Sequence, residues 1–508
     1  MKPSSLVLRA AALLVAGAAA SAQLDYRLAF EPGAKSWNVE VRLKSRGEEA
    51  LDFWIELWTP GAYHVAEYGK RVNEFTATGP DGKVLTVERP EPSHFVVRGA
   101  PTLPKGGELV LRYRADSLST SVFSNGALDV ESNRIAKDYA YLNPGSVLGF
   151  VPARAAEAIT LGVALPAGWR AASALERDPE GRFHAPSFAR LEDSPLLFSP
   201  TLETVEFTAA GKAHSLSVQG RDADDTQAIA EGCQRIVESA AELMGGLPYE
   251  RYHFLIGFVD EGLGSGLEHS YSTLILVPHR MEIEGTHLWG LVGHEFFHLW
   301  CAERIHVQGI HQPDFTQAFE TGTIWVNEGI TEYFTRHVLL HAGYLDESAF
   351  LAGLVPSEPS GLPPSTRSWT DVSRGAASWN GMMDIQVFAE RMYSQGPRTI
   401  LALDLEMRRV SHGERGVLDL VRYLMSEYHA KDRGFGEDEL PDILQEVAGG
   451  SLDDFYGRFI DGPELPDLAQ FLGVIGYRVE GGAALEVAGA DEAALRARKD
   501  FFSVSGQP

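Results

Sequence analysis

His294 and His298 stand four residues apart in "GLVGHEFFHLW" (290–300), with Glu295 directly after the first. On an α-helix, residues four apart share a face. Both imidazoles would then point the same way, as two neutral ligands of one Zn²⁺ require. Glu295 lies one step round, where a carboxylate acts on water beside the ion rather than on the ion itself. The pattern fixes only three positions, and an apolar core helix carrying a few polar residues is the alternative. A catalytic zinc site also needs a third protein ligand and an open position. "TIWVNEGITEYF" (323–334) offers Glu328 on a second amphipathic helix, far enough from His298 for a loop and a helix that packs back antiparallel. Glu328 sits amid Trp325, Val326, Ile330, Tyr333 and Phe334. An unpaired charge is costly there, and a metal removes the cost. Glu332 follows four residues later on the same face. It either accepts a hydrogen bond from a metal-binding histidine or is a solvated helix residue.

The elements that must position these groups fall into two halves. From Gln23 to about Leu202, "WNVEVRLKS", "LDFWIELW", "ELVLRYRA" and "AITLGVAL" alternate as strands between Pro- and Gly-containing turns, which predicts an all-β sandwich. Near Gly220 the texture changes. "DDTQAIAEGCQRIVESAAELMGG" has an acidic start, helical apolar spacing and a Gly-Gly stop. "YHFLIGFVD" and "STLILVP" follow as buried strands, and from His287 onward helices dominate, interrupted by a Pro/Ser-rich loop at 357–369. The expected domains are 23–205 (β-sandwich), 206–462 (catalytic α+β domain, mainly helical in its C-terminal half) and 463–508 (C-terminal extension).

Composition sets limits on partners. The 508 residues carry a formal charge of −26, which repels nucleic acid and anionic membranes. Residues 1–22 have a basic start, a short apolar run and "ASA" ending at Ala22, the form of a secretory signal. The run is too short to span a bilayer. The expectation is an exported protein, periplasmic or extracellular, not inserted in a membrane after signal removal. Cys233 and Cys301 are expected to be small buried hydrophobes.

"HEFFH" followed by Trp300, then "WVNEGITEYF", resembles the gluzincin peptidases and, more narrowly, the glycyl aminopeptidase family. Four further stretches are similar to that family: "WTPGAYHVAEYGKRV" (58–72), "GGLPYERYHFLIGF", "GSGLEHSYST" (264–273) and "MYSQGPRTILALDLEMRR". The resemblance covers about residues 25 to 480. It implies an N-terminal β-sandwich followed by a thermolysin-like α+β zinc peptidase domain. It also implies one Zn²⁺ per chain on His294, His298 and Glu328, where the metal acidifies water and polarises the scissile carbonyl. Glu295 is then the general base and acid. Tyr393 would donate to the oxyanion, although this chain has Gln395 where the family pattern carries Lys.

In the stretch that resembles the substrate-binding edge strand, the resemblance implies that Gly266 and Leu267 line the substrate. Glu268 would pair with the substrate's free α-ammonium, against the alternative of a surface acid in a Gly-rich loop. His269 stays open between a polar contact and an ordinary strand residue. The implied activity is removal of N-terminal Gly or Ala from peptides with a free N-terminus. A thermolysin-like endopeptidase and a non-catalytic peptide-binding protein on the same fold are the other readings. Family members often continue into a PDZ domain. The stretch after "GPELPDLAQFLGVIGYRV" is too short for one, so none is expected here.

Overall fold

Alternating burial builds the first half. In the strand Ser36–Lys44, Trp37, Val39, Val41 and Leu43 point inward while the residues between them face out or lie part-exposed. The computed structural model describes residues 24–99, 102–118, 126–355, 367–378 and 382–503. The expected leader at 1–22 and residues 357–366 of the Pro/Ser-rich stretch lie outside them. Ser36–Lys44 pairs antiparallel with Leu24–Ala29 and Glu108–Asp116 inside a seven-stranded sheet. That sheet faces a three-stranded and a four-stranded sheet across one core. Tyr26, Trp37 and Leu111 there meet Phe53 and Val97 of the first and Leu142 and Phe198 of the second. "LDFWIELW" was expected as one strand, yet the strand ends at Trp54. The chain then leaves the sheet to dock elsewhere: the Leu57 N–H donates to the Phe315 carbonyl at 3.0 Å.

A second sheet carries the other half. Its five strands run in the order Glu203–Ala209, Lys212–Gln219, Arg251–Val259, Ser272–Pro278 and Ser265–His269. The three central strands are parallel, and both outer strands are antiparallel to their neighbours. The boundary expected after residue 205 falls inside Glu203–Ala209, which pairs along its whole length with Lys212–Gln219. The helix Ala223–Met244 makes the parallel crossover. The Asp222 side chain caps its N-terminus by accepting from the Asp225 N–H, and Gly245, at φ 75°, ends it. Its Ile229, Cys233, Ile236 and Ala240 face the core. Cys233 and Cys301 are buried and free, and burial pushes both thiols up.

The histidine helix (Thr286–Phe297) and the glutamate helix (Ile324–His341) pack side by side in that core. The C-terminal part folds back as a hairpin, Tyr477–Glu480 with Ala483–Glu486, and a helix, Glu492–Phe502, that seats Phe501 and Phe502 against the catalytic half. Among the described residues no helix is long and apolar enough to cross a membrane.

Candidate active site

The histidine helix is shorter than its sequence suggests. The run through "LWCAERI" reads as helical, but the helix stops at Phe297 and His298 is its C-cap. The turn that follows serves the site, because it swings the Cys301 carbonyl back to His298 Nδ1 at 2.8 Å. His294 Nδ1 meets Glu332 Oε2 at 2.9 Å. A carbonyl and a carboxylate can only accept, so both Nδ1 atoms are the N–H donors. With both rings neutral, as metal ligation requires, both Nε2 atoms carry lone pairs, and they face each other at 3.0 Å. Two lone pairs cannot hydrogen-bond to one another. Glu328 Oε2 completes the convergence, 3.4 Å from His294 Nε2 and 3.6 Å from His298 Nε2, buried and without a hydrogen-bond partner.

Three donors thus aim at one point, all within 4.8 Å of one another. Burial alone would lower the His294 pKa, but Glu328 and Glu332 outweigh it and raise it well above 6.5. The site therefore holds a field that favours positive charge. Two imidazoles and one carboxylate in a buried cluster are the donor set of a catalytic zinc site, and the residues fit that ion.

Glu295, the expected general base, is equally buried. Glu295 is packed so close to the edge strand that a Cβ on Gly266 would lie 2.4 Å from its Cγ and Cδ. Burial drives the Glu295 carboxyl well above the usual range, with Glu268 and Glu328 adding to the rise and His294 opposing it. Glu268, on the same strand, lies within 4.8 Å of ligand atoms of Glu295 and His298. It is 5% exposed, and its Oε1 has no hydrogen-bond partner. Leu267 is buried, turned against Gly61 of the β domain. His269 is buried with Nδ1 3.4 Å from Asp193 Oδ1, an arrangement that holds the strand end.

Tyr393 lies on a π-helical turn, Glu390–Gln395, just before the helix Gly396–Val410. Such turns are one-residue insertions that re-aim side chains, and they concentrate at functional sites. Fully buried Arg391 locks this one, donating to Gln395 Oε1 at 2.8 Å and to the carbonyls of Arg367 and Pro463. Gln395 is therefore a structural partner of the turn. Tyr393 as a whole is 42% exposed, and its ring centroid lies 5.7 Å from that of His294. Burial of its hydroxyl end, then Glu328, Glu295 and Glu268, hold the phenol well above its usual pKa, so it stays protonated.

A cavity of about 290 Å³ adjoins Glu268, lined among others by Pro60, Glu192, Asp193 and Glu303. The larger concavities, about 950 and 850 Å³, lie away from this chemistry, one on an outer face of the β domain and one along its seam with residues 312–316. Sequence reasoning did not find the part the β domain plays. The loop Thr59–Tyr63 lies over the site, where a Cβ on Gly61 would sit 2.9 Å from both Glu268 oxygens. The only signal was the motif at 58–72, which gave no hint of what it touches.

Two family models match the chain: the peptidase M61 N-terminal domain over residues 25–200 and the M61 glycyl aminopeptidase over residues 287–389. No curated protein matches it. Among solved structures the chain is similar to an aminopeptidase N family protein from Idiomarina loihiensis, at 23% identity and TM-score 0.77. That match covers 90% of this chain and 79% of the other. It is also similar to an M1 zinc metallopeptidase from Deinococcus radiodurans, at 16% identity and TM-score 0.55, covering 88% and 95%. A mutant of that metallopeptidase has been solved with a Tyr-Ser-Ala substrate, and matches at 15% identity and TM-score 0.56, with the same coverage. At such identities these likenesses speak for the fold. The two family models fall in order on the β half and on the helices that carry the histidines and Glu328, and the chain belongs to the M61 glycyl aminopeptidase family of zinc peptidases.

Proposed function

We propose that this zinc aminopeptidase removes small residues, glycine or alanine, from free peptide N-termini. It would hold one Zn²⁺ per chain on His294, His298 and Glu328 and work outside the cytoplasm. The observation that carries the exopeptidase reading is Glu268, a buried carboxylate beside the metal cluster whose Oε1 lacks a partner. An unpaired buried charge is costly, and a substrate α-ammonium removes the cost. The preference for a small first residue rests on the likeness to the glycyl aminopeptidase family. Export rests on the signal-like residues 1–22.

Bound at its three ligands, zinc supplies Lewis acidity for the scissile carbonyl and for water. The chain's own residues do the rest. The Glu295 carboxylate takes the proton from the attacking water and delivers it to the leaving amine. The Tyr393 hydroxyl, held protonated, donates to the oxygen that gains charge. Glu268 fixes the ammonium so that only the first peptide bond reaches the reacting centre. Glu332 holds the His294 ring in its tautomer.

Digestion of a peptide library with free and with acetylated N-termini, with and without chelator, tests this reading. Free Gly- and Ala-peptides should shorten stepwise, acetylated peptides should survive, chelator should stop the reaction, and Glu268→Ala should lose most activity while keeping its zinc. Internal cleavage of blocked peptides at comparable rates would instead make the protein an endopeptidase.

A further inference from the structure

The cavity beside Glu268 takes no part in the hydrolysis itself. It lies where the edge strand ends. Gly266, two residues back, packs on Glu295, so the reacting centre is on one side of Glu268. The cavity, which His269 and Ser270 also line, opens on the other. Two pieces of the β domain close it, Pro60 and residues 189–193, and the turn after the histidine helix adds Glu303.

Its walls are acidic. Four carboxylates, Glu192, Asp193, Glu268 and Glu303, stand against one guanidinium, Arg190. Asp193 uses that guanidinium: its Oδ2 lies 3.4 Å from Arg190 Nη1, and its Oδ1 accepts the Ser270 N–H at 2.9 Å. Glu303 accepts from the Ser270 hydroxyl. Glu192 and Glu268 are left over. They are 3% and 5% exposed, and Oε1 of each lacks a hydrogen-bond partner. A buried acceptor in that state is costly until a donor arrives. Burial, with Asp193 adding to it, pushes the Glu303 carboxyl up to about 8 and holds that of Glu192 well above the usual range, as expected where positive charge is short.

A metal ion does not answer this need. Among the described residues, the acids and histidines whose ligand atoms converge are those of the zinc cluster and the trio Glu268, Glu295 and His298; Glu192, Asp193 and Glu303 belong to neither. Carboxylates spread round a wall suit a cation on a chain, whose N–H donors point apart. A lysine ammonium carries three such donors on a flexible four-carbon stem.

We propose that this cavity is a subsite for a basic first residue: the side-chain ammonium of an N-terminal lysine or ornithine enters it and is held by Glu192 and Glu303. The proposal rests on Glu268 holding the substrate's α-ammonium, and it adds a substrate class to glycyl and alanyl peptides. The peptide bond of such a substrate points toward Glu295, and its first side chain turns the other way.

Lysyl and norleucyl anilides test this, because the two side chains are alike in length and differ in the charged nitrogen. kcat/KM for both is measured on the full, zinc-loaded chain for wild type, Glu192→Gln and Glu303→Gln. Wild type should favour the lysyl substrate by about 10-fold or more, the size of one charge-assisted hydrogen bond. The ratio should fall in each variant, chiefly through KM of the lysyl substrate. Each ratio is internal to one protein, so a partly folded or zinc-poor preparation does not move it. A ratio near one in wild type would overturn the proposal. So would a ratio that stays at the wild-type value in either variant, because attraction by overall charge survives both substitutions. Cleavage of N-acetylated glycyl peptides as fast as free ones would instead sink the role of Glu268, so the two failures are distinguishable.

Discussion

Glycine at position 266 is what lets the Glu295 carboxyl reach the edge strand. A Cβ there would lie 2.4 to 2.5 Å from Cγ, Cδ and Oε1 of Glu295, contacts that force the carboxyl to move. Two substitutions separate its chemistry from its placement. Glu295→Gln keeps size and removes the base, and should cost about 10²- to 10⁴-fold in kcat. Gly266→Ala keeps the base and displaces it, and should also lower kcat substantially. Both should keep the zinc content of wild type, checked by elemental analysis beside the kinetics; loss of metal in Gly266→Ala would show that the crowding reaches the ligands instead. The same scale shows what sequence can and cannot disclose. His294, His298 and Glu328 could be read because helical spacing is local and residue types are specific. The Cys301 carbonyl could not, since any residue brings a carbonyl. Nor could Tyr63, whose contact to Asn327 spans 264 positions and leaves no local pattern.

Helices and strands were legible wherever burial follows one period. The helix Ala223–Met244 has its cap, apolar face and glycine stop in sequence order. The π-turn at Glu390–Gln395 and the early end of the histidine helix were not legible, because long-range hydrogen bonds accompany them: Arg391 with distant carbonyls in one case, the Thr331 hydroxyl on the Cys301 carbonyl in the other. The C-terminal helix Glu492–Phe502 docks on an imidazole. His337 is buried, with Phe501 5.3 Å and Phe350 4.8 Å from its ring. Burial, with His341 and Arg408 nearby, pushes its pKa down to about 3. Released into water the ring would titrate near 6.5, so the released state binds the proton more readily. Docking is therefore strongest above about pH 6.5 and weakens as pH falls below it. Limited proteolysis should find this helix cut faster near pH 5 than at neutral pH, and His337→Phe should flatten the difference. A helix equally resistant at both pH values would refute the account.

At the scale of the whole molecule, order and charge were readable and the seam was not. The β half precedes the catalytic half as composition implied, but the first strand of the catalytic sheet begins at Glu203, where strand texture alone marks no change of domain. The formal charge of −26 has a kinetic consequence. A negative field draws in cationic peptides and repels acidic ones, and salt screens it. kcat/KM for a Gly-peptide with lysines downstream should fall as ionic strength rises, while that of an aspartate-bearing analogue should climb; parallel curves would mean the field does not reach the site. The seam also acts in time. Trp58 and Tyr63 leave the ribosome long before Glu328 and Tyr393 exist. At about 5–20 residues per second, the finished β domain waits about tens of seconds for the surface it must cover. During that interval its aromatic loop is a stranded half of a joint. A chain that has made "HEFFH" but not Glu328 owns two imidazoles and no carboxylate, so the three-ligand cluster is complete only once the glutamate helix exists.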